Sequence, residues 1–428
     1  MLKISNDLLR KLTIGILVLM IISIFFGESS SNSKEIGETI FWFHARAVLS
    51  FSMLLLLVFT ISIVRTKELL INFKSRKDLL ILSLIFISLV LGFVNSGNYG
   101  YIFQRMQIKV PFLILPLCAS SLNIDRKGFQ TILFVFMLFT FSLATYTFIN
   151  YIINFDVINA AYLNSKVMPS PINHVRFSIL LALATYSSYF LLKTNYNRFK
   201  YIKTVLVVVG MFLFVFIHLY SVRSGIIAIY AIAFTETLSY MIKTRSFKKG
   251  MSFFLVLISC SIIIFMFSPT LKNKVTNTKS DIGIYNSKGN ANYNSLSTRL
   301  ISYQVAIDLF KENVFFGCGL GDLEIKNTKL FKEKFPEIET PIIPHNEFLY
   351  YLASMGVVGF LIFIFCFFFP LFYNKNYKND FLLMVYIVLF LSFMTEPMIE
   401  NQLGVAVTTI FITLPLMIKK EERFQLFF

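Results

Sequence analysis

The sequence predicts an all-α integral membrane protein with about 12 transmembrane helices. Hydrophobic residues make up 56% of its 428 residues, and the mean hydropathy is +0.70. Apolar runs of about 17–25 residues recur along the chain, the length that crosses a bilayer as a helix. The predicted spans are 11–27, 41–64, 79–95, 104–122, 129–153, 172–192, 202–220, 222–242, 250–268, 346–373, 381–396 and 401–418.

The spans divide the chain into three parts of one integrated domain. Residues 1–268 hold helices one to nine, and residues 346–428 hold helices ten to twelve and a tail. Residues 269–345 form one large loop, whose polar stretch 272–295 predicts a flexible lid.

Two amphipathic helices are expected in the rest of this loop. The first is STRLISYQVAIDLFKEN, which Ser297 or Thr298 would cap, and the second is DLEIKNTKLFKEKF. The apolar stripe of the first helix is expected to contain Leu300, Tyr303, Ile307 and Phe310.

The distribution of basic residues predicts the orientation. Of the 40 Lys and Arg residues, 23 fall in segments that face the cytoplasm if the N-terminus is cytoplasmic, whereas the short outward loops hold only Lys34 and Lys166. By the positive-inside rule, both termini are expected in the cytoplasm and the large loop on the outer face. The net charge of +17 therefore reflects topology and does not indicate nucleic-acid binding. The inward segments are the two tails, 65–77, 123–128, 193–203, 243–249 and 374–379.

Cations inside predicted spans are the main functional signal, because a charge in a membrane segment is costly. Five of them fall at the outer ends of spans, which suggests a pocket for a strongly anionic group: Arg46, Arg105, Lys109, Arg176 and Arg223. Snorkelling of long side chains to the interface is the alternative, especially for Arg105 and Lys109. Two carboxylates of the last hairpin, Glu396 and Glu400, are expected to pair with these cations.

Two residues of the large loop are further candidates. Arg299 lies in the first turn of the predicted amphipathic helix, where it is either a phosphate ligand or a solvated charge. His345 ends the loop and is either a general base or a cap of the tenth span. All four histidines lie near the outer face: His44, His174, His218 and His345.

No cofactor, metal ion or nucleotide is expected. Asp281, Asp308 and Asp322 are isolated in the loop, and the sequence contains no Walker motif. The GxGxG of residues 317–321 lacks the strand that a dinucleotide site requires, so it predicts a sharp turn between two helices.

These motifs together resemble the O-antigen ligase family of polytopic glycosyltransferases. The likeness rests on VRSG at the eighth span, STRLISYQVAIDLF followed by GCGLGD, PHNEFLYYLASMGVVG, and TEPMIENQLGV near the C-terminus. The chain departs from the family pattern in NVFFG, where a proline usually precedes the glycine turn, and in Tyr303, where Trp is frequent.

The resemblance implies a GT-C-like fold and metal-independent inverting transfer at the periplasmic face of the bacterial inner membrane. A glycan would move from undecaprenyl pyrophosphate to lipid A–core. His345 would deprotonate the acceptor hydroxyl, while Arg223 and Arg299 would bind the pyrophosphate, with Arg176 as a further candidate ligand.

Three alternatives remain open from the sequence. An O-antigen polymerase would use a second lipid-linked glycan as acceptor, and a protein ligase would glycosylate a polypeptide. A transporter of an anionic lipid or solute should carry polar groups near the bilayer midplane. The predicted spans are nearly free of charge there, with Glu236 as the main exception.

Overall fold

The computed structural model describes residues 5–25, 45–163, 166–286 and 295–418. These residues form α-helices and short 3-10 turns, and no β-strand occurs within these ranges. The helices are α1 Asn6–Ile24, α2 Ala45–Ile63, α3 Thr66–Ser75, α4 Lys77–Ser88, α5 Tyr99–Lys109, α6 Pro111–Ala119, α7 Arg126–Ile153, α8 Phe155–Leu163, α9 His174–Lys193, α10 Ile202–Tyr220, α11 Arg223–Thr244, α12 Phe247–Phe267, α13 Pro269–Asn286, α14 Ser295–Glu312, α15 Leu323–Lys334, α16 Glu347–Phe372, α17 Asp380–Phe393 and α18 Gln402–Leu416.

Seven stretches in the described ranges are long and apolar enough to cross a membrane, or eight if α2 and α3, bent by 109°, count as one span. The prediction of an all-α membrane protein is therefore confirmed. The count of twelve is not, because α17 and α18 are shorter apolar helices, α4 has only 12 residues, and α1, although 19 residues long, carries three charged residues near its start. The seven are Tyr99–Ala119, Arg126–Ile153, His174–Lys193, Ile202–Tyr220, Arg223–Thr244, Phe247–Phe267 and Glu347–Lys378.

The segments that the charge pattern assigns to one face meet at one end of the bundle. The Arg76 guanidinium donates to the carbonyl oxygen of Leu416 at 3.0 Å. Asp380, at the start of α17, accepts from Lys193 at 2.7 Å and lies 3.6 Å from the Lys243 ammonium. The ends of α9 and α11 therefore lie together with the start of α17, and the opposite ends of α9 and α11 carry Arg176 and Arg223.

Helix α16 is broken at Gly356, where φ is +65° and ψ is −166°. A break in a membrane helix leaves backbone groups that need other partners. Here the turn before α15 supplies them, since the N–H groups of Cys318 and Gly319 donate to the carbonyls of Ala353 and Ser354 at 2.8 and 3.1 Å.

The same segment also provides hydrogen-bond acceptors for the backbone N–H groups that follow the break. The N–H groups of Val357 and Val358 donate to the carbonyls of Val314 and Phe315 at 2.8 and 3.2 Å. Residues 314–319 are thus docked into the split helix.

The glycine turn itself fits tightly against a second segment. Gly317 and Gly319 have φ of +69° and +94°, and a Cβ on Gly319 would come within 2.0 Å of the carbonyl oxygen of Asn95. Asp322 accepts from the backbone N–H groups of Gly97 and Asn98 at 3.0–3.1 Å. The interpretation of GxGxG as a sharp turn between two helices is confirmed.

The prediction of an irregular lid over 272–295 is wrong for its first part, because residues 269–286 form α13. The Ser268 hydroxyl accepts from the N–H of Leu271 at the helix start, and tertiary contacts described below hold one face. Residues 287–294 lie outside the described part of the chain.

The predicted face of the next helix is also wrong. Helix α14 begins at Ser295, and the Ser297 hydroxyl donates to the Asp281 carbonyl at 2.7 Å instead of capping the helix. Ile307 is 41% exposed, and the buried face is shifted by one or two positions to Ile301, Ser302, Val305, Ala306 and Leu309. The second predicted helix is confirmed as α15.

Replacing Gly356 by alanine is expected to destabilise the protein. A Cβ there would lie 2.3 Å from the Phe315 carbonyl oxygen, and the positive φ adds strain of roughly 1–3 kcal/mol. Thermal unfolding of the purified protein in detergent measures the loss. Gly15→Ala in α1 is the matched control, since no atom lies within 4 Å of its added Cβ. Equal unfolding temperatures for the two variants would contradict the account of the break.

Candidate active site

The VRSG motif places Arg223 at the first turn of α11 and packs the helix closely against α9. The Ser224 and Ser178 hydroxyls are 3.0 Å apart, and a Cβ on Gly225 would come within 2.7 Å of Ser178. Arg176 precedes Ser178 by two residues, and Arg223 precedes Gly225 by two. The close approach of these two helices therefore brings both arginines to the same end of the bundle.

Arg176 is buried and paired with a carboxylate. Its guanidinium lies 3.3 Å from Glu396, which is also buried. The pairing of Glu396 with the cationic cluster is confirmed, and it compensates a charge that would be costly away from water.

Arg223 reaches toward α13. Its guanidinium donates to the Thr278 hydroxyl at 2.5 Å and lies 3.9 Å from the buried carboxylate of Asp281. Asp281 also accepts from the Leu296 N–H at 3.2 Å, at the start of α14. Asp281 therefore connects Arg223 to the helix that carries Arg299.

His345 is held through its backbone. Its N–H donates to the Ser302 hydroxyl at 3.3 Å, and its carbonyl accepts from the Tyr303 hydroxyl at 3.0 Å. Tyr303 also donates to the Met394 carbonyl, at 3.0 Å. The α14 helix thus fixes His345 against the segment between α17 and α18.

Asn346, not His345, caps the tenth predicted span. Its side-chain oxygen accepts from the N–H groups of Phe348 and Leu349 at 2.9 and 3.1 Å. The imidazole of His345 is free of this task, and its Nδ1 is buried with no hydrogen-bond partner among the described groups. A buried polar atom without a partner is unusual in a folded protein, which makes this nitrogen a candidate for a role in the site.

Burial and the surrounding charges favour the neutral imidazole of His345. Together they lower its pKa to about 4: burial has the largest effect, followed by the positive charges of Arg299 and Arg176, with a smaller effect from His174. The family resemblance implied one site for His345, Arg299 and Arg176, and in the structure these three groups are electrostatic neighbours. At neutral pH the imidazole is an unprotonated acceptor.

Lys274 is a site residue that sequence reasoning missed. It lies on α13, and it is an electrostatic neighbour of Arg223, Arg299 and Asp281. The signal was a helical spacing of polar residues at Thr270, Lys274, Thr278 and Asp281, which an irregular loop would not have.

Lys109 and Arg105 form a second, compensated cluster, so the snorkelling interpretation is wrong for Lys109. Its ammonium is fully buried, pairs with Glu400 and contacts the Tyr351 hydroxyl at 3.3 Å. Arg105 donates to the Glu400 carbonyl at 2.6 Å and lies 3.8 Å from its carboxylate. The expected pairing of Glu400 is confirmed, and both cations are engaged by it.

The remaining candidates lie elsewhere. His218 is held between the Phe214 carbonyl at 2.7 Å and the Tyr230 hydroxyl at 3.0 Å. His44 and the side chain of Arg46 fall outside the described residues.

Glu236 does not mark a midplane site. It accepts from the Tyr186 hydroxyl and from Lys193, both at 2.8 Å, at the end of the bundle opposite Arg223. A carboxylate held in this way belongs to the ion-pair network around Asp380.

Fold and site together define a multi-pass membrane protein with a cationic site at one end of its helix bundle. Residues 207–364, somewhat more than a third of the chain, match the family model described as O-antigen ligase, so this part of the chain is similar to that family. The matched range contains Arg223, Lys274, Arg299 and His345, whereas Arg176 lies before it. A comparison with curated proteins finds no matching sequence.

Lys109→Met is expected to destabilise the fold by on the order of 3–5 kcal/mol, because it leaves the buried Glu400 carboxylate without its ammonium partner. Lys109→Met combined with Glu400→Gln should recover part of that loss. Thermal unfolding in detergent gives both values. Lys329→Met is the control, since Lys329 makes only an exposed pair with Glu333 at 3.9 Å. A Lys109→Met protein as stable as the Lys329→Met control would show that the cluster is not compensated as described.

Proposed function

We propose that this protein is an O-antigen ligase that transfers a glycan from undecaprenyl pyrophosphate to lipid A–core. The observation that carries the proposal is the neutral imidazole of His345, with an unpartnered Nδ1, beside Arg299 and Arg176 within the same site. The O-antigen ligase family match over 207–364 supports a ligase or polymerase type of activity.

The reaction needs a base and a set of fixed positive charges. The acceptor hydroxyl gives its proton to the His345 imidazole while its oxygen attacks the anomeric carbon. The bond from that carbon to the phosphate oxygen breaks on the opposite face, and the pyrophosphate leaves with the electron pair. The configuration at the anomeric carbon is inverted.

Arg223 and Arg299 are assigned to the departing pyrophosphate, with Arg176 as a further ligand. Guanidinium groups suit this role because they donate two parallel hydrogen bonds to phosphate oxygens. Pyrophosphate is already a good leaving group, so stabilisation of its charge serves in place of a protonating acid or a metal ion.

The site belongs, in this proposal, to the periplasmic face of the inner membrane of a bacterium. Both termini are then cytoplasmic, and α13 to α15 form the large periplasmic loop 269–345. A GT-C-like arrangement of twelve spans would require five more helices to cross the bilayer: α4, α17 and α18, which are short, α2, which is followed by a sharp bend, and α1, which carries charged residues near its start. Apolar surfaces of the spans would receive the polyprenyl chain.

The transporter alternative is weakened by the position of Glu236. Its carboxylate is satisfied by Tyr186 and Lys193 at the end opposite Arg223. The main charge that would have marked a midplane substrate path is thus part of an ion-pair network.

A strain lacking this gene tests the proposed function. Surface lipopolysaccharide that has lost its glycan cap, together with long polymer still on the lipid carrier, is the result expected for a ligase. Core capped by a single repeat unit would identify a polymerase, and an unchanged lipopolysaccharide profile would point to protein glycosylation or transport.

His345→Ala is expected to abolish transfer while the protein still inserts and binds undecaprenyl pyrophosphate. The loss should be at least about 10²-fold, the scale of general-base catalysis. Initial rates of glycan transfer in proteoliposomes measure it. His218→Ala is the matched control, because that imidazole is held by Phe214 and Tyr230. Wild-type rates for His345→Ala would remove His345 as the base.

The acid side of the pH profile provides a separate test of the base. The folded-state pKa of His345, at about 4, lies below the usual 6.5, so the imidazole is the proton acceptor at every pH above about 5. In the protein without bound donor, kcat/KM should fall only as pH drops toward 4. An acid limb centred near 6.5 would contradict the environment described here.

A further inference from the structure

One face of helix α13 carries a stripe of polar residues that contacts residues 219–223, which lead into α11. The Thr270 hydroxyl donates to the Leu219 carbonyl at 2.7 Å and accepts from Ser221 at 3.0 Å. Two turns further along the same stripe, Thr278 accepts from Arg223. The helix is therefore held against residues 219–223 at both places.

Lys274 lies on this stripe between Thr270 and Thr278, one helical turn from each. Its carbonyl accepts from the Thr278 hydroxyl at 2.7 Å, so the backbone around it is regular. Residues on the other faces of α13, such as Lys272 and Lys279, are exposed. The position of Lys274 directs its ammonium toward the side on which Arg223 lies.

Ion pairs among the described residues leave this end of the bundle with an excess of positive charge. Arg176 is opposed by Glu396, and Arg223 is opposed by Asp281 at 3.9 Å. Lys274 and Arg299 belong to none of the ion pairs found in the described ranges. Four cations thus face two carboxylates, and two positive charges remain uncompensated.

We propose that Lys274 is a further ligand of the glycan donor's pyrophosphate, an inference that rests on the function proposed above. A pyrophosphate diester carries two negative charges, which match the two uncompensated cations. The ammonium supplies up to three hydrogen-bond donors to phosphate oxygens and does not require the fixed geometry of a guanidinium fork.

The electrostatics of the site make this ligand sensitive to pH. The pKa of Lys274 is lowered to about 8, first by burial and then by the positive charges of Arg223 and Arg299, while the charge of Asp281 acts in the opposite direction. Lys274 therefore loses its charge as pH rises through about 8 in the protein without bound donor. His174 of α9 is an electrostatic neighbour of Lys274. The elements packed against α13 also carry titratable groups, which include Tyr162 and the exposed Asp156 on α8, His218 and Tyr220 on α10, Cys260 on α12 and Tyr303 on α14.

The test uses the purified full-length protein in two assays. Binding of undecaprenyl pyrophosphate, the probe, is measured in detergent micelles, and the kinetics of glycan transfer are measured in proteoliposomes. Lys274→Met should weaken binding of the probe and raise the donor KM by at least on the order of tenfold, the effect of losing one charge-assisted contact. Its kcat should change less than its KM. Lys279→Met, on the exposed face of the same helix, should behave as the wild type.

The pH dependence separates a ligand from a residue that only maintains the fold. The wild type should lose affinity for undecaprenyl pyrophosphate as pH rises through about 8. Lys274→Arg should retain the affinity and lose this alkaline decline, because a guanidinium stays charged. A merely structural role would leave the decline in place in the Arg variant.

Two kinds of result would overturn the inference, and they can be told apart. The first concerns Lys274 alone, and the second concerns the proposed function as a whole. If Lys274→Met binds the probe with wild-type affinity, or if Lys274→Arg keeps the alkaline decline, Lys274 is not a ligand although the function stands. If the wild type neither binds undecaprenyl pyrophosphate nor transfers glycan, the proposed function fails and this inference fails with it.

Discussion

A charge held away from water needs an opposite charge or hydrogen bonds, and this constraint organises the end of the bundle that contains His345. The connection between α17 and α18 supplies two of the carboxylates that meet this requirement, and Asp281 of α13 supplies a third, opposite Arg223. Glu396 opposes Arg176, and Glu400 opposes Lys109 and Arg105. At the start of the same connection, the carbonyl of Met394 accepts a hydrogen bond from the Tyr303 hydroxyl. One short segment thus compensates two groups of cations and helps to position the imidazole.

This compensation divides cations that look alike in the sequence into two kinds. Lys109 is neutralised within the fold, so its charge is not available to a ligand. Arg299 and Lys274 form no ion pair in the described ranges, although Asp281 attracts Lys274, and both cations are electrostatic neighbours of Arg223. In the proposed function, the excess of positive charge would attract the anionic substrate, and α11, α13 and α14 would orient it because they hold these groups on rigid elements.

The sequence could predict the helices and the candidate residues, but not which of those residues meet. Apolar periodicity located the long spans, and the types and order of Arg223, Arg299 and His345 indicated a candidate site. The pairing of Glu400 with the cations could be predicted, but not that Lys109 is its fully buried partner, because the two residues are far apart in the chain. The buried face of α14 was predicted wrongly because tertiary contacts determine it. Helix α13 was missed because its composition is polar and because its contacts with Arg223 and residues 219–221 stabilise it.

The docking of residues 314–319 into the break of α16 has a consequence for how the chain is made. The backbone groups on either side of Gly356 find their partners in residues that are synthesised earlier, so these partners already exist when α16 enters the bilayer. The segment between α14 and α15 must then be on the correct side of the membrane before α16 can settle. The order of synthesis therefore protects a broken helix from lipid during biogenesis, and a chain whose loop was delayed would expose unsatisfied backbone in the hydrocarbon region.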